Sequence, residues 1–452
     1  MLRSLWLTAI YLIFIGFGAS APFILALGYV WVDIFQPQAV AYMILNQVPV
    51  ALIMGAGAVA SFFLQDLRNL PRLTLVNLLQ ILIAIWSCAT LLWAVAPSGA
   101  VMFKWDWAFK AMVFAAFLPW VIRSKVHIES FVQVYVISLA ANFIPFGIKT
   151  LISGGGYGTN LGLVAGNGGL AEGGQLSTVC LMAVPLALHL AKHNTLLPVT
   201  KVTPLGFVII AGLAVATALG TFERSALIGL AVLAAFMFAK SKNKLGMGIV
   251  LVVLGVIIVG ATSATYLQRM NSIGDYQSDD SALTRLAVWK WTFEFSISHP
   301  FGGSFNSFLI NSFQLPNGSM GYGRAFHSSH FEVLGELGWP GVAMYHGCML
   351  LVILQMRRIE RMTKSIANMV WCADLANAIQ TALVVFLAAG SFVGLAFLPM
   401  IWYIIAMSVS LSEYVRRAMA GQQPARGIGA IRAAAAAAQA GAVPVPSGWR
   451  NR

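Results

Sequence analysis

The chain has 452 residues, of which 59% are hydrophobic and only 10% charged, against about 25% charged residues in an average soluble domain. This balance excludes a soluble globular enzyme and predicts an all-α polytopic membrane protein. The formal net charge of +13 would point to nucleic acid in a soluble chain. In a membrane protein the Lys and Arg must first be sorted between the two sides, and nucleic acid is not an expected partner.

Apolar runs predict about twelve transmembrane helices, near 5–32, 41–64, 73–95, 106–122, 130–150, 176–192, 204–220, 225–239, 246–266, 331–355, 368–393 and 396–414. The first run is interrupted by Gly16, Gly18 and Pro22, so it reads as one broken crossing or as two short helices. Only the single crossing places Arg3 inside. With both termini cytoplasmic, the inner segments hold 20 of the 28 Lys and Arg, which is the bias expected of cytoplasmic loops. The other eight are Lys104, Lys110, Lys149, Arg224, Arg269, Arg285, Lys290 and Arg324. Residues 1–415 thus form a single transmembrane domain, and 416–452, mixing Ala, Gly, Pro and Arg, reads as a disordered cytoplasmic tail. Cys88, Cys180, Cys348 and Cys372 fall inside spans with no paired spacing and read as small packing residues.

This topology leaves two large segments on the outer, periplasmic side. Residues 151–175 are too Gly-rich for a stable helix and read as a lid or lining loop, or as a connector, with Glu172 as the only charge from Ser153 to Gln175. Residues 267–330 form a large polar loop. There Asp279 and Asp280 precede Ser281, a candidate N-cap for a helix from Ala282 to Ser298. Arg285, Trp289, Thr292 and Ser296 line one face of it, so it should lie in the membrane interface with Arg285 at headgroup depth, unless Arg285 snorkels or pairs with an Asp. His299-Pro300 ends this helix and Gly302-Gly303 permits a tight turn.

Among groups that could carry chemistry, Glu223-Arg224 marks a turn between two apolar runs: a solvated pair, or a guanidinium aimed at an anionic ligand. His327 sits just before a helix starting at Phe331, either as a structural residue or as an imidazole able to accept a hydroxyl proton. His327, His330, Glu332 and Glu336 could together hold a metal, but HExxH is lacking and the acids lie further along a helix, so no metal or cofactor is expected. Asp374 and His346 fall inside spans and leave an exporter of lipid-linked oligosaccharide, or another secondary transporter, as the alternative class.

Three short patterns share an order and a side. His327-Ser328 is followed after nine residues by Gly338, Trp339-Pro340 and Gly341; Arg285 precedes His299-Pro300-Phe301-Gly302-Gly303; and Arg224-Ser225 opens a helix. Together they resemble the O-antigen ligase and O-antigen polymerase superfamily of bacterial inner-membrane glycosyltransferases, over roughly Gly166 to Gly341. The first four spans and the tail add only general hydrophobicity. The resemblance implies transfer of a glycan en bloc from a polyprenyl diphosphate carrier to an acceptor hydroxyl, with inversion and without a metal. His327 would be the catalytic residue, Arg224 and Arg285 the diphosphate ligands. Ser328, Gly338 and Gly341 are supporting candidates, together with His330, which fits no signature position, and Arg324. The implied partners are the lipid-linked donor, a glycan or lipid A core acceptor, and membrane lipids.

Overall fold

The computed structural model describes residues 2–421 apart from 42–43, 66–71, 154, 156–169, 171, 199–200, 242, 247, 250–251, 253–254, 256–279 and 316–317. Within these the chain is almost wholly helical, as it must be where lipid offers no partner to a backbone N–H or C=O. The helices are α1 (Leu2–Gly18), α2 (Pro22–Phe35), α3 (Val50–Gln65), α4 (Leu75–Ala89), α5 (Ser98–Val121), α6 (Lys125–Ser153) and α7 (Gly173–His193). They continue with α8 (Val202–Gly220), α9 (Arg224–Lys240), α10 (Asp280–Ser298), α11 (Ser329–Thr363), α12 (Val370–Ala389) and α13 (Pro399–Met419). A small antiparallel hairpin, β1 (Ser312–Gln314) with β2 (Met320–Tyr322), pairs Phe313 with Gly321. Among the described residues, six helices are long and apolar enough to cross a membrane: α4 with its 3-10 extension to Trp93, α6, α7, α8, α11, and α12 with its leading turn.

Helix position follows from which faces are apolar. α7 and α13 bury nearly every side chain, α13 enclosing Trp402 and Tyr403 at 0% exposure, so both belong in the middle of the bundle. On α4 the exposed residues Leu75, Leu78, Leu82 and Ile85 recur at helical spacing and form an outward, lipid-type stripe. Its opposite face carries Asn77 and Gln80, whose amides donate to the α5 carbonyls of Ala116 (2.9 Å) and Met112 (3.2 Å). Thr217 on α8 donates to the Phe143 carbonyl of α6 at 2.9 Å, and a Cβ at Gly147 would lie 2.7 Å from the Leu213 carbonyl oxygen. Small residues and buried polar groups thus hold these helices together where lipid tails give little hydrophobic drive.

The run 5–32 takes the second of its two open forms: α1 and α2 are short helices that part at Ala19–Ala21 and pack on each other, with Pro22 at a helix start where its missing N–H is harmless. Two sequence expectations change. α5 starts at Ser98 rather than near 106, because Lys104, Asp106 and Lys110 dilute the hydropathy of a stretch that is nonetheless helical. α13 runs to Met419, into the segment read as tail, with Arg416 paired to Glu413 at 2.8 Å. The expected span 246–266 lies mostly outside the described residues, as does the tail beyond Gly421.

Candidate functional site

The site is built on a break in α11. At Gly338 the backbone turns to φ 67, ψ −169, a conformation open to glycine and strained for any other residue. A break frees carbonyls that a continuous helix would satisfy, and each finds a donor outside α11. The Gly335 oxygen takes the Gly303 N–H (2.8 Å), that of Glu336 takes the Ser304 N–H (2.9 Å), and that of Leu337 takes the Trp86 indole N–H (2.8 Å). In return the Trp339 N–H donates to Pro300 at 2.9 Å. A Cβ at Gly338 would lie 2.3 Å from the Pro300 oxygen, and one at Gly302, itself at φ 80, would lie 2.5 Å from the Glu336 oxygen. The two glycine patterns of the sequence are therefore one contact, backbone against backbone. His299, by contrast, is exposed and stacks on Phe295 at 4.2 Å.

His327 lies just before the start of α11. His327 adopts φ 47, a left-handed conformation rare for a side chain of its size. Both flanks hold it there. On one side the buried Phe326 gives its carbonyl to the Trp289 indole N–H at 2.8 Å and sets its ring edge-on to Phe308. On the other, Ser329 donates its backbone N–H to Gly390 (2.7 Å) and its hydroxyl to the Val393 carbonyl (2.8 Å), and accepts the Leu395 N–H (2.9 Å). Ser328, buried, sits at the N-cap with no side-chain cap bond.

The His327 imidazole faces a cavity of about 110 Å³ whose walls include Lys104, Glu172, Gln175, Phe326 and Glu332. Small-molecule pockets run to roughly 300–1,000 Å³, so this space admits only a small group. His327 Nδ1 lies 3.5 Å from Glu172 Oε1. Behind the cavity, Lys104 is clamped between two carboxylates, 2.6 Å from Glu332 Oε1 and 2.7 Å from Glu336 Oε1. The Ala396 N–H supports Glu332 and the Asn306 N–H supports Glu336, while Glu336 Oε2 is buried without a hydrogen-bond partner. These acids thus bind a lysine, and among the described residues no group of three His, Cys, Asp or Glu is placed to hold a metal.

The two arginines sit on separate elements. On α10, Trp289 stacks on Phe331 (5.2 Å, 7° from parallel) while its indole reaches Phe326, so this helix touches the chain on both sides of His327. Thr292 and Ser296 are fully buried and Leu286, Phe293 and Ile297 are exposed, so the polar stripe expected to line one face is the face turned inward. Arg285 lies one turn before Trp289 on this stripe, half-buried, and its Nε is buried with no hydrogen-bond partner among the described residues. The helix begins at Asp280, so Ser281 lies inside it and not at the N-cap. Arg224 occupies the first position of α9. The turn that carries it rests on the start of α7: a Cβ at Gly173 would meet Glu223 at 3.1 Å, and one at Gly174 would meet the Ser225 hydroxyl at 3.4 Å. That contact lies one residue beyond Glu172.

Other candidates fall elsewhere. His330 points away from the cavity, its Nδ1 2.8 Å from His346 Nε2 and its Nε2 3.1 Å from the Leu387 carbonyl, tying α11 to α12. Arg324 is exposed, with its backbone clasped by Asn311 on both sides. Gly341 packs where a Cβ would come 2.2 Å from that of Leu337. Asp374 lies near the start of α12, 2.5 Å from Lys192 and 2.6 Å from His193 in the last turn of α7. It thus sits toward a helix end, whereas a transporter places substrate-binding charges near the middle of its helices. Lys104 went unassigned in the sequence, where the available signal was a lysine within an apolar stretch.

Comparison with known families divides the chain. Residues 2–195 match a family of unknown function, DUF5935, and residues 208–346 match the O-antigen ligase family. No curated protein matches the chain. The second match takes in Arg224, Arg285, His327, Gly338 and Gly341, and it supports the resemblance read from the three short patterns: residues 208–346 match the O-antigen ligase family.

Proposed function

We propose that the protein is an inverting membrane glycosyltransferase that moves a glycan en bloc from a polyprenyl diphosphate carrier to an acceptor hydroxyl on the periplasmic face of a bacterial inner membrane. One observation carries the reading: within the O-antigen ligase segment, a conformationally fixed histidine opens onto a small polar cavity beside the elements that bear Arg224 and Arg285. His327 Nε2 takes the proton of the acceptor hydroxyl as its oxygen bonds to the anomeric carbon. On the opposite face, the bond from that carbon to phosphate oxygen breaks, and the polyprenyl diphosphate leaves with the electron pair. Charge builds on the departing phosphate, so guanidinium donors stabilise the transition state. Arg285, whose buried Nε finds no hydrogen-bond partner among the described residues, suits that role. The exposed apolar stripes on α4 and α10 provide surface along which the lipid tail can lie.

The test is transfer from a synthetic polyprenyl diphosphate oligosaccharide in proteoliposomes, with lipid A core, a second lipid-linked repeat, or a Ser/Thr peptide offered in turn. A new glycosidic bond with one acceptor, lost in His327→Ala, Arg224→Ala and Arg285→Ala proteins that remain folded and inserted, is the expected result. Full transfer by all three variants would refute the assignment. Movement of the oligosaccharide across the vesicle membrane without any new bond would identify an exporter instead.

A further inference from the structure

The cavity before His327 draws on both halves of the chain. Phe326, His327 and Glu332 come from the O-antigen ligase segment, whereas Lys104, Glu172 and Gln175 come from the segment matched by the family of unknown function. Glu172 is the residue to explain. It stands at the N-cap of α7, where a negative charge suits the helix dipole, yet its side chain makes no capping bond. Its carbonyl accepts the Leu176 N–H at 3.0 Å, the backbone work of a helix start, and its carboxylate is left to face the cavity. The other polar groups there are engaged: Lys104 with Glu332 and Glu336, and the Gln175 amide with the Gly394 carbonyl at 2.9 Å. Among the described residues, His327 Nδ1, 3.5 Å away, is the partner within reach.

We infer that Glu172 is a positioning residue that holds the Nδ1 proton of His327, making the N-terminal segment of unknown function a part of the catalytic cavity; this rests on the reading of His327 as proton acceptor. A neutral imidazole carries one proton on one of its two nitrogens, and the hydrogen bond made by the first decides which nitrogen is bare. A carboxylate at Nδ1 selects the Nδ1–H tautomer and leaves Nε2 with its lone pair toward the acceptor hydroxyl. At 3.5 Å the contact is long for a hydrogen bond, as acid–base contacts often are before substrate closes the site.

Two measurements test this, and only one depends on catalysis. In full-length protein labelled with ¹⁵N-histidine in lipid nanodiscs at pH 8, the His327 signals, assigned by their loss in His327→Gln, should show protonated Nδ1 and bare Nε2. In Glu172→Ala they should revert to the Nε2–H form favoured by imidazole in water. An unchanged tautomer, or Nε2–H in the parent protein, overturns the inference whatever the enzyme does. In the transfer assay with the synthetic polyprenyl diphosphate oligosaccharide, Glu172→Ala should lower kcat on the order of 100-fold with little change in KM. Glu172→Asp should keep part of the rate, and added formate should restore part of it to Glu172→Ala, which a purely structural loss would not allow. If His327→Ala transfers normally while the tautomer still follows Glu172, the hydrogen bond stands and the catalytic reading falls.

Discussion

His327 occupies a left-handed backbone conformation that costs of order 1–3 kcal/mol for a non-glycine residue, and its neighbours are fastened on both sides as though to sustain it. Loss of its imidazole removes a proton acceptor, so His327→Ala should lower the transfer rate by roughly 10²- to 10⁴-fold, with thermal stability little changed because alanine keeps the strained Cβ. Arg285→Ala should cost on the order of 10²- to 10³-fold in kcat, as does removal of a single donor to a developing anion. Arg285→Lys should recover only part of that, since a point charge cannot reproduce a planar fork. At Gly338 the effect falls on folding instead. A Cβ there meets Pro300 and Gly302 backbone, and Gly338→Ala should destabilise the protein by about 3 kcal/mol or more, measured as loss of the folded peak on size exclusion after graded heating.

Among the elements, α10 and α5 show what each contributes to the site. Trp289 pins α10 through one hydrogen bond and one stacked ring. Trp289→Phe should cost about 1 kcal/mol through the lost N–H, whereas Trp289→Ala should loosen the helix and raise hydrogen exchange from Leu283 to Phe293. On α5, Lys104→Ala would strand two buried carboxylates, a loss of about 3–5 kcal/mol. Lys104→Met combined with Glu332→Gln and Glu336→Gln should regain most of the melting temperature. The same two helices show what could be read in advance. The α10 face of Arg285, Trp289, Thr292 and Ser296 was legible because helical spacing survives in the sequence; that it turns inward was not, since Trp289 finds its partners at Phe326 and Phe331 only after folding. Lys104 was hidden for the same reason. Its carboxylates lie more than 220 residues away, and no local pattern records such a pairing. The glycine spacing after His327 was legible as a motif, but its cause, contact with a second motif, required the fold.

At the scale of the molecule, α7 links two unlike ends. Its 21 residues, at about 1.5 Å of rise each, span close to the thickness of a bilayer core. One end begins beside Glu172 and His327, and the other ends at Lys192, His193 and Asp374. Chemistry at the first end need not involve the second. The Lys192 ammonium is 64% exposed, and such surface pairs contribute roughly 0–1 kcal/mol. Asp374→Asn should therefore leave glycan transfer within about twofold of the parent rate. A large loss in that variant, with the protein still folded, would show that the two ends of α7 are coupled.

The back-to-back glycines carry one more implication, for how such a chain can drift over time. Because Gly302 and Gly338 exclude each other's side chains through backbone atoms, neither change can be rescued by trimming a neighbour, and no second substitution elsewhere makes room. The two positions therefore constitute a single heritable unit split over 36 residues of sequence. A lineage that alters one must rebuild the turn and the helix break together, so the path to a differently shaped acceptor cavity runs through the residues around this pair and leaves the pair itself untouched.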